Sequence, residues 1–194
     1  METSYSKIWD LALSRQDLRD DEGHAKTVTD FARELGILLK GDLNVIIPAA
    51  ILHDTGYYGF SKKMLNDLMA KKFSKEKETE IKDLHMIRGE EFALQVLTQL
   101  KYDEEKIKVI AGIVRRHDYS DDFPNLIEEK IVRDADKLWR YSQKGFFLDV
   151  KRRGCTPQDW YGKLLKNFEK PNYFYTEQAK AIAKLEIASR KKEF

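Results

Sequence analysis

Ala49-Ala50-Ile51-Leu52-His53-Asp54-Thr55-Gly56 ends an apolar run in a histidine, a carboxylate and, two residues on, a glycine. With Val45-Ile46-Ile47 ahead of it, the run is apolar on all sides and reads as a core element. A histidine and an acid at the end of a core element cost free energy unless something neutralises them. A divalent metal would do so. Imidazole with carboxylate suits zinc, iron, manganese, cobalt or nickel, with magnesium admitted where oxygen ligands dominate. Taken alone, the dipeptide reads more simply as a capping aspartate beside a hydrogen-bonded histidine.

The other histidines change that reading. His24, His85 and His117 also sit near the beginning or end of apolar-periodic segments. Arg133-Asp134-Ala135-Asp136-Lys137 puts acids inside a further such segment. Helix ends converging from several directions are how a bundle builds a metal centre in its interior.

Four prolines, ten glycines and few strand-like alternations in 194 residues predict an all-α fold. The length fits one domain over 1–194, with a core of about 20–140 and a helical extension of about 145–194. The net charge of +2 supplies no large footprint for nucleic acid or membrane. No run approaches the ~18 apolar residues of a membrane span. The single cysteine, Cys155, excludes an intramolecular disulfide and fits a reducing, cytoplasmic setting. Composition leaves the oligomeric state open.

Tyr5, Ile8, Trp9 and Ala12 share one face of a first helix over 3–17, and Asp20-Asp21-Glu22-Gly23 forms a turn with acids suited to the next helix N-terminus. Val28, Phe31, Ala32, Leu35 and Leu39 predict a helix over about 23–39, with His24 in its first turn on the buried face. Asp42 is the N-cap of the core helix and Gly56 supplies its end. Pro48 is awkward inside it, at about 3 kcal/mol unless the helix starts late or bends. The charge run Lys71–Glu78, within the odd segment 57–82, reads as a solvated helix face or loop; the sharper reading is a lid carrying lysines over a phosphorylated substrate. His85 opens a helix over 83–100, and His117 ends another after Arg115-Arg116, where it could simply bond terminal carbonyls. Asp134 flanks the stripe Ile127, Ile131, Ala135 and Leu138, where a carboxylate wants a cation; Asp136 faces elsewhere and is expected in a salt bridge. Thr156-Pro157 and Thr176 open the last helices, the final one turning Ala179, Ile182, Ala183 and Leu185 inward. The aromatic residues between Phe146 and Tyr175 read as packing.

The order His24, His53-Asp54, Asp134 resembles the HD-domain metal-dependent phosphohydrolases. The words around it fit: Ala-Ile-Leu-His-Asp-Thr-Gly, the stretch from His85 through Gly89-Glu90-Glu91-Phe92-Ala93, Ile113–His117 and Ile131–Leu138. His85 and His117 fall between the pair and the last acid, as in members with additional histidines that hold a second metal. Tyr57-Tyr58-Gly59-Phe60 departs from the family, where a lysine often follows the glycine.

The resemblance implies a helical bundle with a metal site at its centre, His24, His53, Asp54 and Asp134 on a first ion, and His85 and His117 on a second ion or on substrate phosphate. One or two divalent ions (Mn, Fe, Mg, Co, Ni or Zn) would serve hydrolysis of a small phosphorylated substrate of nucleotide type. Arg115, Arg116, Arg133 and Lys137 are phosphate-clamp candidates by position. A di-iron oxygenase and a non-catalytic metal-binding interaction domain are the competing classes. The signature for cyclic-dinucleotide hydrolysis is missing.

Overall fold

The computed structural model of the chain describes residues 2–119 and 123–194. Its helices are α1 (Glu2–Ala12), α2 (His24–Leu39), α3 (Leu43–Leu52), α4 (Lys62–Met69), α5 (Lys75–Gln99), α6 (Glu104–Arg116), α7 (Ile127–Trp139), α8 (Gln143–Arg153), α9 (Pro157–Leu165) and α10 (Glu177–Arg190). Short 3-10 turns lie at Leu13–Arg15, Thr55–Tyr57 and Lys166–Glu169. No strand occurs among the described residues, so the all-α expectation holds.

Helix α3 is the axis of the bundle because its sequence has no polar face to turn outward. Val45 through Leu52 are all buried, with α1, α2, α5, α6 and α7 packed around them. Asp42 is its N-cap, accepting from the Asn44 backbone N–H. Pro48 lies inside the helix, which starts at Leu43 and not after the proline. A proline removes the N–H that the carbonyl four residues back would accept. That carbonyl belongs to Asn44, and the Tyr102 hydroxyl donates to it at 2.7 Å. Tyr5 donates to the neighbouring Leu43 carbonyl at 3.2 Å. The Tyr102 hydroxyl thus replaces the donor that the proline removes.

Gly56 does not end α3; His53 is already its C-cap residue. The glycine instead lets the Thr55–Tyr57 turn lie directly on α5. A Cβ at position 56 would stand 1.7 Å from the His85 carbonyl oxygen and 2.5 Å from the Gly89 nitrogen. This crossing brings the His53-Asp54 end of α3 against His85.

Helix α5 begins at Lys75, capped by Ser74, so it absorbs the end of the charge run and places His85 mid-helix rather than in a first turn. The segment 57–82 forms α4, the start of α5 and a small apolar cluster of Tyr57, Leu65, Leu68 and Ile81. α1 stops at Ala12, short of the predicted 17. The later helices add Phe146, Trp160, Leu164, Ala179, Ala183 and Ile187 to the same apolar core as α3. Leu185 is 72 % exposed, so α10 turns Ile187 inward instead.

Gly56→Ala should cost about 3 kcal/mol or more, because backbone rather than a flexible side chain must move. Gly162→Ala, with nothing within 4 Å of the added methyl, should be neutral or slightly stabilising. Urea denaturation of both variants checks this; equal stabilities would contradict the close approach.

Candidate metal centre

Each histidine reaches the centre by a local device. Asp17 accepts from the backbone N–H groups of Gly23 at 2.7 Å and Ala25 at 3.0 Å. It therefore holds the α2 N-terminus, the role expected of the acids of the 20–23 turn, and sets His24 as the first helical residue. At the C-terminus of α3, the Nδ1–H of His53 donates to the Ala50 carbonyl at 2.7 Å. His117 repeats this at the end of α6, donating to Val114 at 2.8 Å. Both bonds use carbonyls that a helix end leaves unpaired, and both direct Nε2 inward. His117 thus bonds a terminal carbonyl and faces the cluster at once. His85 is held by ring stacking on Tyr57, with centroids 4.1 Å apart and planes 7° apart. The Trp139 edge packs on His24.

Asp54 stands between two groups of these nitrogens. Its Oδ2 lies 3.1 Å from His24 Nε2 and 3.4 Å from His53 Nε2. Its Oδ1 lies 3.4 Å from His117 Nε2 and 3.9 Å from His85 Nε2. Asp136 completes the first group, its Oδ1 3.4 Å from His24 Nε2 and 3.8 Å from His53 Nε2. Within the groups, the histidine Nε2 atoms are 3.1 Å apart for His24 and His53, and 3.4 Å for His85 and His117.

The donor set fits divalent ions. Ligand atoms at about 2.1 Å from one ion stand about 3.0 to 3.4 Å apart in octahedral or tetrahedral arrangements. The separations above fall largely in that range. The carboxylates at the centre draw positive charge toward them. Burial resists a charge on Asp54, yet Arg19 and His53 hold its carboxyl well below the usual carboxylate range. Burial likewise resists a charge on His53, but the facing Asp54 raises it to about 9. His85 is pushed down to about 3 by burial and by His117, so it presents a neutral imidazole. Three groups could each hold an ion: His24, His53 and Asp136; Asp54, His85 and His117; and Asp21, His24 and Asp54, which shares a member with each of the other two. Arg19 already occupies the carboxylates of the third, so the first two are the candidate groups.

Asp134, expected on the first ion, does not lie among them in the structure. Asp134 accepts from the backbone N–H of Tyr175 at 2.9 Å, and from the backbone N–H and hydroxyl of Thr176 at 2.9 and 2.8 Å. Its cation substitute is the α10 N-terminus, with Lys137 3.8 Å away. Asp134 and Asp136 lie about 200° apart around the helix axis. Asp134 is buried, whereas Asp136 is half-buried and faces His24 and His53.

The clamp candidates separate as well. Arg115 pairs with Asp83 and Glu90 and bonds Tyr119. Arg116 and Arg133 both pair with Glu129, at 3.0 and 2.6 Å. Their charge is engaged away from the histidines. Lys137 differs: its Nζ is buried without a hydrogen bond and lies 3.8 Å from the Tyr175 ring centre. Burial lowers it to about 8, against the opposing pull of Asp134 and Asp136.

Several residues at the centre had no readable signal in the sequence. Arg19 donates to Asp54 and, at 3.1 Å, to Asp21. Lys82 pairs with Asp118 at 2.8 Å, and Arg140 with Asp149 at 3.8 Å. Burial opposes a charge on Asp118, but Lys82 and the neighbouring histidines bring it down to about 2. A cleft of about 90 Å³ opens on Arg19, His24, Asp54, His117 and Asp136. A cavity of about 310 Å³ continues from His117, Asp118 and Asp136 to Lys137, Arg140, Tyr173 and Tyr175. Those tyrosines wall the site, so the aromatic segment is not packing alone.

A family model for the HD domain matches residues 22–140, which include every residue of both candidate groups. The chain belongs to the HD-domain family. The crystal structure of a predicted HD superfamily hydrolase from an uncultured Thermotogales bacterium shares the fold, at 20 % identity and a TM-score of 0.58, over 97 % of this chain and 85 % of that one. No curated protein matches the sequence significantly. No helix among the described residues is long and apolar enough to cross a membrane.

The two aspartates of α7 should behave oppositely. Asp136→Ala should lower bound metal per chain by elemental analysis with little change in thermal stability of the metal-free protein. Asp134→Ala should keep the metal but lose about 1–3 kcal/mol, since three donors at the α10 N-terminus lose their acceptor. Metal loss confined to Asp134→Ala would restore the sequence-based assignment.

Proposed function

We propose that the protein is a metal-dependent phosphohydrolase acting on a small nucleotide-type ester or anhydride. The observation that carries this reading is the division of Asp54, one oxygen toward His24, His53 and Asp136 and the other toward His85 and His117. His24, His53, Asp54 and Asp136 would hold a first divalent ion, and Asp54, His85 and His117 a second. Bound there, such ions supply Lewis-acid polarisation of a phosphoryl oxygen and a water that ionises near neutral pH.

The chain's own residues do the rest. The carbonyl bonds of His53 and His117 fix which ring nitrogen faces the substrate and keep the other protonated. Arg19 neutralises Asp54, leaving the cleft able to accept an anion. Lys137 and Arg140, beside Asp136 in the adjoining cavity, are placed to take phosphate oxygens that leave the centre. Tyr173 and Tyr175 give that cavity flat apolar walls, which supports a substrate with a base or similar ring. Hydrolysis is favoured over oxidation because cations line the approach, and a phosphate needs them.

The test is turnover on nucleoside mono-, di- and triphosphates and p-nitrophenyl phosphate, after stripping and reloading with Mn, Fe, Co, Ni, Mg or Zn. Asp54→Ala should lower kcat by about 10³-fold or more, since both ions lose a ligand. Lys137→Met should raise KM on nucleotides about tenfold with kcat nearly kept, because it removes a contact outside the reacting atoms. Oxygen-dependent turnover with iron, and none on any phosphate ester, would overturn the proposal.

A further inference from the structure

A second groove adjoins the cleft over the candidate centre. It has a volume of about 480 Å³ and runs between the end of α4 and the α8–α9 corner. Met69, Lys71, Arg152 and Arg153 line both this groove and the cleft over the histidines, so the two are continuous. Beyond them lie Trp160 and Lys163.

Two of the four cations that line this groove lack a carboxylate partner. Lys71 is paired with Glu78 at 2.8 Å, and Arg152 lies 3.7 Å from Asp149. Arg153 and Lys163 have no carboxylate partner among the described residues; they flank the Trp160 ring at 4.4 and 5.6 Å. The acid in the lining, Asp159, is tied into the Thr156 capping box. The Trp160 indole N–H and the Arg153 Nε–H are sealed inside the protein and do not open on the groove. Cationic side chains without a carboxylate partner, in a groove that shares its lining with the cleft over the histidines, suit an oxygen-rich anion.

We propose that this groove is a second anion subsite, holding a phosphate or pyrophosphate group that the substrate carries beyond its scissile phosphoryl group. The proposal rests on the hydrolase reading for its link to turnover. It assigns the substrate class: a molecule with further phosphates on the far side of the reacting one, such as a nucleoside di- or triphosphate rather than a monoester. Arg153 and Lys163 would position the distal phosphates and take no part in bond breaking.

The test separates binding from turnover. Inorganic triphosphate is titrated into metal-free protein, with tryptophan fluorescence read in wild type and in Trp160→Phe to assign the signal, and with calorimetry alongside. Saturable binding that weakens at least tenfold in the Arg153→Gln, Lys163→Gln double variant supports the subsite; equal affinity in that variant overturns it. In metal-loaded protein, the double variant should raise KM at least tenfold on nucleoside triphosphates and leave p-nitrophenyl phosphate turnover unchanged. An equal effect on both substrates would overturn the subsite while leaving the hydrolase reading intact. Loss of all phosphate-ester turnover in wild type would fail the hydrolase reading itself, with the metal-free titration still deciding the anion site. Triphosphate that binds but does not compete with a nucleoside triphosphate would overturn the assignment to the substrate.

Discussion

The carboxylate of Asp54 is the constraint on which the rest depends. A buried acid faced on both sides by imidazole nitrogens is stable only when positive charge sits among them. Arg19 and His53 supply some of that charge from the chain itself. The structure concentrates donors from α2, α3, α5, α6 and α7 around two oxygens of one side chain. Few arrangements other than a cation site justify gathering so many unfavourable groups in one interior, and the family match is consistent with that reading.

Much of the surrounding architecture keeps that point in place. α3 is apolar all round, so its end is fixed in the core. The Thr55–Tyr57 turn can then reach α5 only because residue 56 lacks a Cβ. Tyr57, delivered by the same turn, stacks on His85. The two helix-terminal histidines use their own helices' free carbonyls as anchors, so their orientation is set by local backbone rather than by distant packing. Proline in α3 is tolerated because the Tyr102 hydroxyl replaces the donor it removes. The same network that stabilises the core element therefore also sets the geometry of its functional end.

The order of chemistry-bearing residues was legible because their types are costly in their places. His53-Asp54 after an apolar run, and histidines at the ends of periodic segments, announce themselves against a background of core residues. The choice between Asp134 and Asp136 was not legible. Periodicity shows that α7 has a buried stripe, yet an acid flanks each edge of it, Asp134 on the α10 side and Asp136 toward His24 of α2. Only the packing says which edge meets the histidines. Arg19 was invisible for a related reason: an arginine in a charged loop carries no pattern, and its contact with Asp54 spans 35 positions. Asp17 lies in the same loop and caps α2 from outside the expected turn, through a positive-φ backbone that sequence reading does not flag. The charge run at 71–78 is a turn up to Ser74 and helix from Lys75, because Ser74 caps α5, a signal overshadowed by the lysines around it.

The central claim is that Asp54 lies between two cation sites. Anomalous diffraction from crystals of the manganese-loaded protein tests it most directly. The account predicts two peaks about 3.5–4 Å apart, one among His24, His53 and Asp136 and one between His85 and His117, with Asp54 reaching both. A single peak, or a peak coordinated by Asp134, would contradict it.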